Sequence, residues 1–144
     1  MTVDIDWVNE DFAFDHVGIA VNSIEEGLPF YQALGLKNIQ YETVESEKVR
    51  VAMLTLANSA KIELLESSDS SGPIARYIEK RGTGIHHICL RVKDIDSTLE
   101  NLKSKGIRLL NEIPKKGAHN CLVAFVHPKS AGGVLVELSE PQEG

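Results

Sequence analysis

Two stretches of the chain repeat one alternation of apolar and polar positions. The first is Phe14-Asp15-His16-Val17-Gly18-Ile19-Ala20-Val21, and the second is Ile85-His86-His87-Ile88-Cys89-Leu90-Arg91-Val92. Successive side chains on a strand point to opposite faces, so His16, Gly18 and Ala20 share one face while Val17, Ile19 and Val21 share the other. In the second stretch His87, Cys89 and Arg91 fall together, and Ile88, Leu90 and Val92 give the other side a row to bury under helices. Each strand is expected to bury one face and present a histidine on the other. By the same parity His86 points away from His87 and reads as structural.

The likeness extends beyond these strands. His16 plus 71 is His87, Val21 plus 71 is Val92, and Gly35 plus 71 is Gly106. Further on, Ala52-Met53-Leu54 answers Ala124-Phe125-Val126 at 72, and Ile62-Glu63-Leu64 answers Val136-Glu137-Leu138 at 74, as insertions in loops would produce. A strand, a helix and three more strands recur, which predicts an α+β fold of two tandem βαβββ modules.

Local signals place the elements. Ser23-Ile24-Glu25-Glu26 has the form of a capping box, predicting a helix from Ile24 with Leu28, Tyr31 and Leu34 inward, Gly35 as its stop and Pro29 as a source of a kink or an irregular first turn. Strands are expected over residues 38–43, 49–56 and 61–66, the first two joined by the charged turn Glu45-Ser46-Glu47-Lys48. Residues 67–72 are rich in Ser, Asp and Gly and read as a linker, and Pro73 opens a helix ending near Gly82 and Gly84. In the second module Asp94 caps a helix with Leu99 and Leu102 inward, and strands follow near 108–112, 121–126 and 133–139. The predicted organisation is an N-terminal tail over residues 1–13 and one domain over residues 14–140. That domain divides into module one at 14–66, a linker and helix at 67–84, and module two at 85–140.

Composition narrows the classes. Hydrophobic residues make up 42% of the 144 and charged residues 25%, ordinary for a globular protein, and no apolar run is long enough to span a bilayer. The first residues are acidic, unlike a secretory signal, so a cytoplasmic location is expected. A net charge of −6 argues against nucleic-acid binding. Cys89 and Cys121 make no disulfide framework and are expected to be buried thiols.

The chemistry lies in the repeat. His16 and Glu63 open and close module one, as His87 and Glu137 do module two. Two imidazoles and two carboxylates converging across the repeat would suit a borderline divalent ion such as Zn²⁺, Co²⁺, Ni²⁺ or Mn²⁺, with positions left for water or substrate. Taken singly, a strand histidine is more often structural and a strand glutamate more often solvated. Coincidence at repeat-related positions favours the metal reading.

The segments DHVGIAV, KIELLES, GTGIHHICLRV and KGAHNCLVAFVHPKSAGGVLVELSEP resemble the methylmalonyl-CoA epimerase family of the vicinal oxygen chelate superfamily, over about residues 14–140. The resemblance implies a curved mixed sheet around a metal site, one divalent metal ion (Co²⁺, Zn²⁺, Mn²⁺ or Ni²⁺), and a homodimer. It implies His16, His87 and Glu137 as ligands, with Glu63 in the fourth ligand's place. The implied reaction is epimerisation of an acyl-CoA at C2, through a thioester enolate that the metal stabilises. Two bases would serve the two faces of that carbon. One is Glu137. The other is a glutamate in a family pattern Glu-Gln-(Lys/Gly)-Val, where this chain reads Glu45-Ser46-Glu47-Lys48-Val49. Without a gap the position falls on Ser46, whose hydroxyl is too weak a base unaided. A shift of one residue gives Glu45 or Glu47, of which Glu47 is the candidate, with Ser46 a substrate contact. Lys115, Lys116 and Lys129 are candidates for the coenzyme A phosphates, although loop lysines usually just solvate a surface. His119 and His127 are not expected to be ligands.

Other superfamily chemistries use similar donors. Lactoylglutathione lyase (glyoxalase I) chemistry could use the same four ligands, and some members bind small molecules without a metal or catalysis. An iron-dependent dioxygenase would take two histidines and a carboxylate but leave the fourth position open, where Glu63 stands.

Overall fold

Alternation, caps and turn residues divide the chain into β1 (Phe12–Ala20), α1 (Ile24–Ala33), β2 (Gln40–Val44), β3 (Val49–Thr55), β4 (Lys61–Ser67), α2 (Pro73–Arg81), β5 (Gly84–Val92), α3 (Ile95–Ser104), β6 (Lys115–Lys116), β7 (Cys121–Val126) and β8 (Val136–Pro141). These come from a computed structural model that describes residues 5–143; residues 1–4 of the expected tail and Gly144 lie outside the described residues. Among the described residues no helix is long and apolar enough to cross a membrane.

All eight strands form one mixed sheet, in the order β2-β3-β4-β1-β5-β8-β7-β6. β1 pairs parallel with β4 and β5 pairs parallel with β8, while β1 and β5 meet antiparallel at the centre. Val17 lies opposite Ile88, its mate at the repeat offset of 71, so the pseudo-twofold axis relating the modules passes through that pair. The modules thus join within one chain.

One face of the sheet is covered by helices. Val21, Ile24, Leu28, Ala52, Leu54 and Leu64 form the core under α1, and Val92, Ile95, Leu99, Ala124, Val126 and Leu138 form its counterpart under α3. The other face is concave. At one end Ala20, Val49, Val51 and Leu65 pack against Ile74 of α2.

The helix starts repeat as well. Ser23 accepts from the Glu26 N–H at 3.1 Å and Asp94 from the Ser97 N–H at 3.1 Å. A second cap comes from the sheet: Glu66 accepts from the Ile24 N–H at 2.8 Å, and Glu140 from the Ile95 N–H at 3.0 Å. These satisfy orphan donors of each first turn from the neighbouring strand.

Three local expectations change. α1 runs unbroken through Pro29, although that ring removes a hydrogen bond to the preceding turn, and Leu34 is 65% exposed at its end. The strand expected over 108–112 shrinks to a single bridge between Leu109 and Val126. There Asn111 takes over the ladder, accepting from the Phe125 N–H at 2.8 Å, and Pro114 offers no donor, so pairing resumes only at Lys115. The last strand starts at Val136 because Gly132 and Gly133, at φ 69° and 93°, make a left-handed turn first.

Candidate metal centre and cavity

The central strand pair builds the site through two bulges. Along β1 and β5 the register runs Phe14 to Leu90, then His16 to Cys89, which leaves Asp15 without a partner. It runs Gly18 to His87, then Ile19 to Ile85, which leaves His86 without one. An extra residue in a strand turns its neighbours' side chains out of strict alternation. Asp15 and His86 are themselves related by the offset of 71, so the bulges are one feature inherited twice. This corrects the expectation for His86, which lines the same cavity as His87.

His16 and His87 thus converge, buried to 6% exposure each. Their Nε2 atoms are 3.0 Å apart, and each lies 3.2 Å from Glu137 Oε1. Three donors at right angles about 2.1 Å from one centre would stand about 3.0 Å apart, so this triangle has the dimensions of one face of a divalent-metal coordination shell. Two neutral imidazoles and a carboxylate fit such an ion chemically as well. Glu63 comes close on a different side: its Oε2 is 3.2 Å from Nδ1 of His16, the nitrogen that Asp15 Oδ2 meets at 2.7 Å. Among the described residues the donor groups within metal-binding reach are His16, His87 and Glu137, and also Asp15, His16 and Cys89; neither includes Glu63.

Charges concentrate here. Burial opposes ionisation of Glu137, but hydrogen bonds with His16 and His87 overcome it and hold the carboxyl at about 2. Burial likewise opposes charge on His16, yet hydrogen bonds with Asp15, Cys89 and Glu137 and the charge of Glu63 push it up to about 12. Glu63 behaves differently, because burial outweighs the pull of His16 and raises it to about 7. A protonated His16 therefore balances the acids of the metal-free centre, a role a divalent cation can take over.

Gly18 makes room for the second imidazole. A Cβ there would lie 2.3 Å from Cε1 of His87, 2.6 Å from Nδ1 and 2.8 Å from Nε2.

The concave face closes into a cavity of about 300 Å³ above these groups. Alternation decides what lines it: Lys61, Glu63 and Leu65 from β4, Cys121, Val123 and Phe125 from β7, and Glu137, Ser139 and Pro141 from β8. Glu47 reaches the wall from the 3-10 turn Glu45–Glu47, where the Lys115 ammonium donates to its Oε1. Lys116 also lines the wall. Ser46, in the middle of that turn, is exposed and outside the wall, since the turn aims Glu47 inward instead. Lys129 is outside it too, in the turn Pro128–Ser130, where its N–H donates to His127 Nδ1 at 3.0 Å and Ser130 Oγ accepts from the Arg108 N–H. Lys115, expected to be a loop cation for phosphate, is on edge strand β6 and committed to Glu47.

Cys89 is buried as expected, with Sγ 3.3 Å from Ser139 Oγ, but Cys121 borders the cavity. Asp15, Lys61 and Arg91 are wall residues to which the sequence assigned no role, and His86 is one that it assigned to the opposite face. Asp15 meets Lys61 at 3.1 Å as well as His16. The legible signal was the repeat itself, which sets Asp15 before His16 as it sets His86 before His87.

Known proteins share this architecture. The family model described as the Glyoxalase/Bleomycin resistance protein/Dioxygenase superfamily matches residues 15–125. An ethylmalonyl-CoA/methylmalonyl-CoA epimerase of Cereibacter sphaeroides is 41% identical over 129 residues, covering 88% of this chain and 96% of that protein. The crystal structure of methylmalonyl-CoA epimerase from Mycobacterium tuberculosis superposes with a TM-score of 0.84 at 39% identity, over 90% of this chain and 88% of that one. A substituted Streptomyces coelicolor methylmalonyl-CoA epimerase in complex with 2-nitronate-propionyl-CoA gives a TM-score of 0.83 at 31% identity, over 90% and 97% of the two chains.

Proposed function

Since the chain belongs to the methylmalonyl-CoA epimerase family of the glyoxalase/bleomycin resistance protein/dioxygenase superfamily, we propose that it interconverts the C2 epimers of methylmalonyl-CoA. The observation that carries this reading is the cavity whose wall holds both a buried three-donor cluster that includes the Glu137 carboxylate and a second carboxylate, Glu47. A C2 proton beside a thioester is weakly acidic, and inverting the carbon needs a base toward each face.

His16, His87 and Glu137 would hold one divalent ion; Glu63, the fourth donor that the resemblance implies, would have to turn from Nδ1 of His16 to join them. The ion, whether Co²⁺, Zn²⁺, Mn²⁺ or Ni²⁺, would supply the Lewis acid that lowers the cost of negative charge on the thioester oxygen. Glu137 approaches both imidazoles through Oε1, which leaves its other oxygen for a proton. Glu47 is the second base: it comes from the turn between β2 and β3 at the sheet's edge, whereas Glu137 comes from β8 beside its centre. Lys115 donates to the Glu47 carboxylate and keeps it in place. Val49, Val51 and Phe125 give the acyl group apolar surroundings that exclude water. Lys116 at the wall is the proposed phosphate contact. The resemblance that supports the activity also implies a homodimer as the working state.

Incubating one epimer of methylmalonyl-CoA with metal-loaded protein and resolving the epimers chromatographically tests the reading. Both epimers should appear, and Glu47→Gln should stop the interconversion. A protein that leaves the single epimer intact, while isomerising the glutathione hemithioacetal of a 2-oxoaldehyde, would replace this reading with the lyase.

A further inference from the structure

A metal-binding imidazole has a second ring nitrogen, and what that nitrogen touches decides which tautomer offers its lone pair to the metal. Here the two bulged residues answer for both rings. Asp15 Oδ2 is 2.7 Å from Nδ1 of His16, and His86 Nδ1 is 2.9 Å from Nδ1 of His87. For His87 to turn an unprotonated Nε2 toward the cluster, its proton must be on Nδ1, and His86 Nδ1 must accept it. His86 then carries its own proton on Nε2.

We infer that His86 is a positioning residue of the metal centre, delivered by the β5 bulge to fix the tautomer and orientation of His87 as Asp15 fixes those of His16. The packing around His86 supports a held orientation. Its ring stands edge-on to Tyr77 at 4.9 Å between centroids, and the Tyr77 hydroxyl donates to the Ile85 carbonyl at 2.7 Å, tying α2 to the start of β5. The two supports are unequal. A carboxylate acceptor strengthens the donor power of His16, while a neutral imidazole does so less for His87, so the centre is electronically lopsided although its frame is a repeat. In a sheet without the bulge His86 would face away and His87 would lack an acceptor on Nδ1.

The inference rests on His87 being a ligand, and the test keeps the two apart. Co²⁺ is titrated into metal-free wild type and variants, reading the visible d–d bands and the dissociation constant by chelator competition. His86→Phe keeps a ring against Tyr77 but removes the acceptor. His86→Asn puts an amide oxygen where Nδ1 stood and restores it. His86→Phe should bind Co²⁺ about 10- to 100-fold more weakly with altered bands, and His86→Asn should recover most of the loss. Thermal melting of the metal-free variants checks that each folds. Wild-type affinity and bands in His86→Phe, with His87→Ala unable to bind, would overturn the inference alone. Undiminished binding by His87→Ala would overturn the site reading beneath it.

Discussion

Gly18→Ala is a one-carbon change with a calculable target. The built Cβ would stand 2.3 to 2.8 Å from three ring atoms of His87, where carbon contacts settle at about 3.5 to 4.0 Å, so ring or strand must yield by about 1 Å. His87 cannot yield freely, because its Nε2 is held 3.0 Å from His16 and 3.2 Å from Glu137, and Nδ1 is held 2.9 Å from His86. Overpacking of this kind costs about 1 to 3 kcal/mol, which for a chain of this size is roughly 2 to 12 °C in melting temperature. The expected pattern is a lower melting temperature without metal and a weakened Co²⁺ affinity, since the displaced atom is a donor. Gly106→Ala is the control: at φ 77° with nothing within 4 Å of its Cβ, it strains backbone far from the centre. It should lower the melting temperature and leave Co²⁺ binding alone. Gly18→Ala with wild-type Co²⁺ affinity and wild-type melting would refute the claim that this glycine exists to seat His87.

Other perturbations separate the parts of the account. Lys115→Met should lower kcat far more than it raises KM for methylmalonyl-CoA, because its ammonium serves Glu47; a change confined to KM would return it to phosphate binding. With the pair partly exposed, melting should shift little. Glu66→Ala and Glu140→Ala each remove an acceptor for a helix N-terminus, so each should destabilise by about 1 kcal/mol in chemical denaturation and the double variant by their sum, the two sharing no partner. In the metal-free protein Glu63 stays protonated up to about pH 7 but ionises near its ordinary 4.5 when unfolded. The folded state then binds the extra proton between those values, so stability should fall as pH rises from about 4.5 to about 7. Glu63→Gln should flatten that part of a melting-temperature profile, and an unchanged slope would contradict the buried placement.

The fold was legible because a repeat turns weak local signals into paired ones. Ser23 and Asp94 mark equivalent helices, and the parity of β1 and β5 puts His16 and His87 on the concave face. What stayed hidden follows from breaks in periodicity. Parity counts positions along one strand, whereas a bulge depends on two strands, so the placement of Asp15 and His86 could not be read from alternation. The side-chain ladder made by Asn111 likewise has no signature in a run of residues that otherwise suggests a strand. Glu47 could be preferred to Ser46 only on the chemistry of its carboxylate, since a one-residue slip in a 3-10 turn reverses which faces inward. Lys115 and Lys129 look alike in a charge pattern, and only the closure of the sheet sets one on the cavity wall beside Glu47.

The most direct test follows the C2 proton of methylmalonyl-CoA by NMR in D₂O, with metal-stripped protein and with protein reloaded with Co²⁺ or Zn²⁺. The account predicts exchange of that proton for deuterium only after reloading, accompanied by the appearance of the second epimer. Metal-bound protein that leaves the C2 proton unexchanged would contradict it.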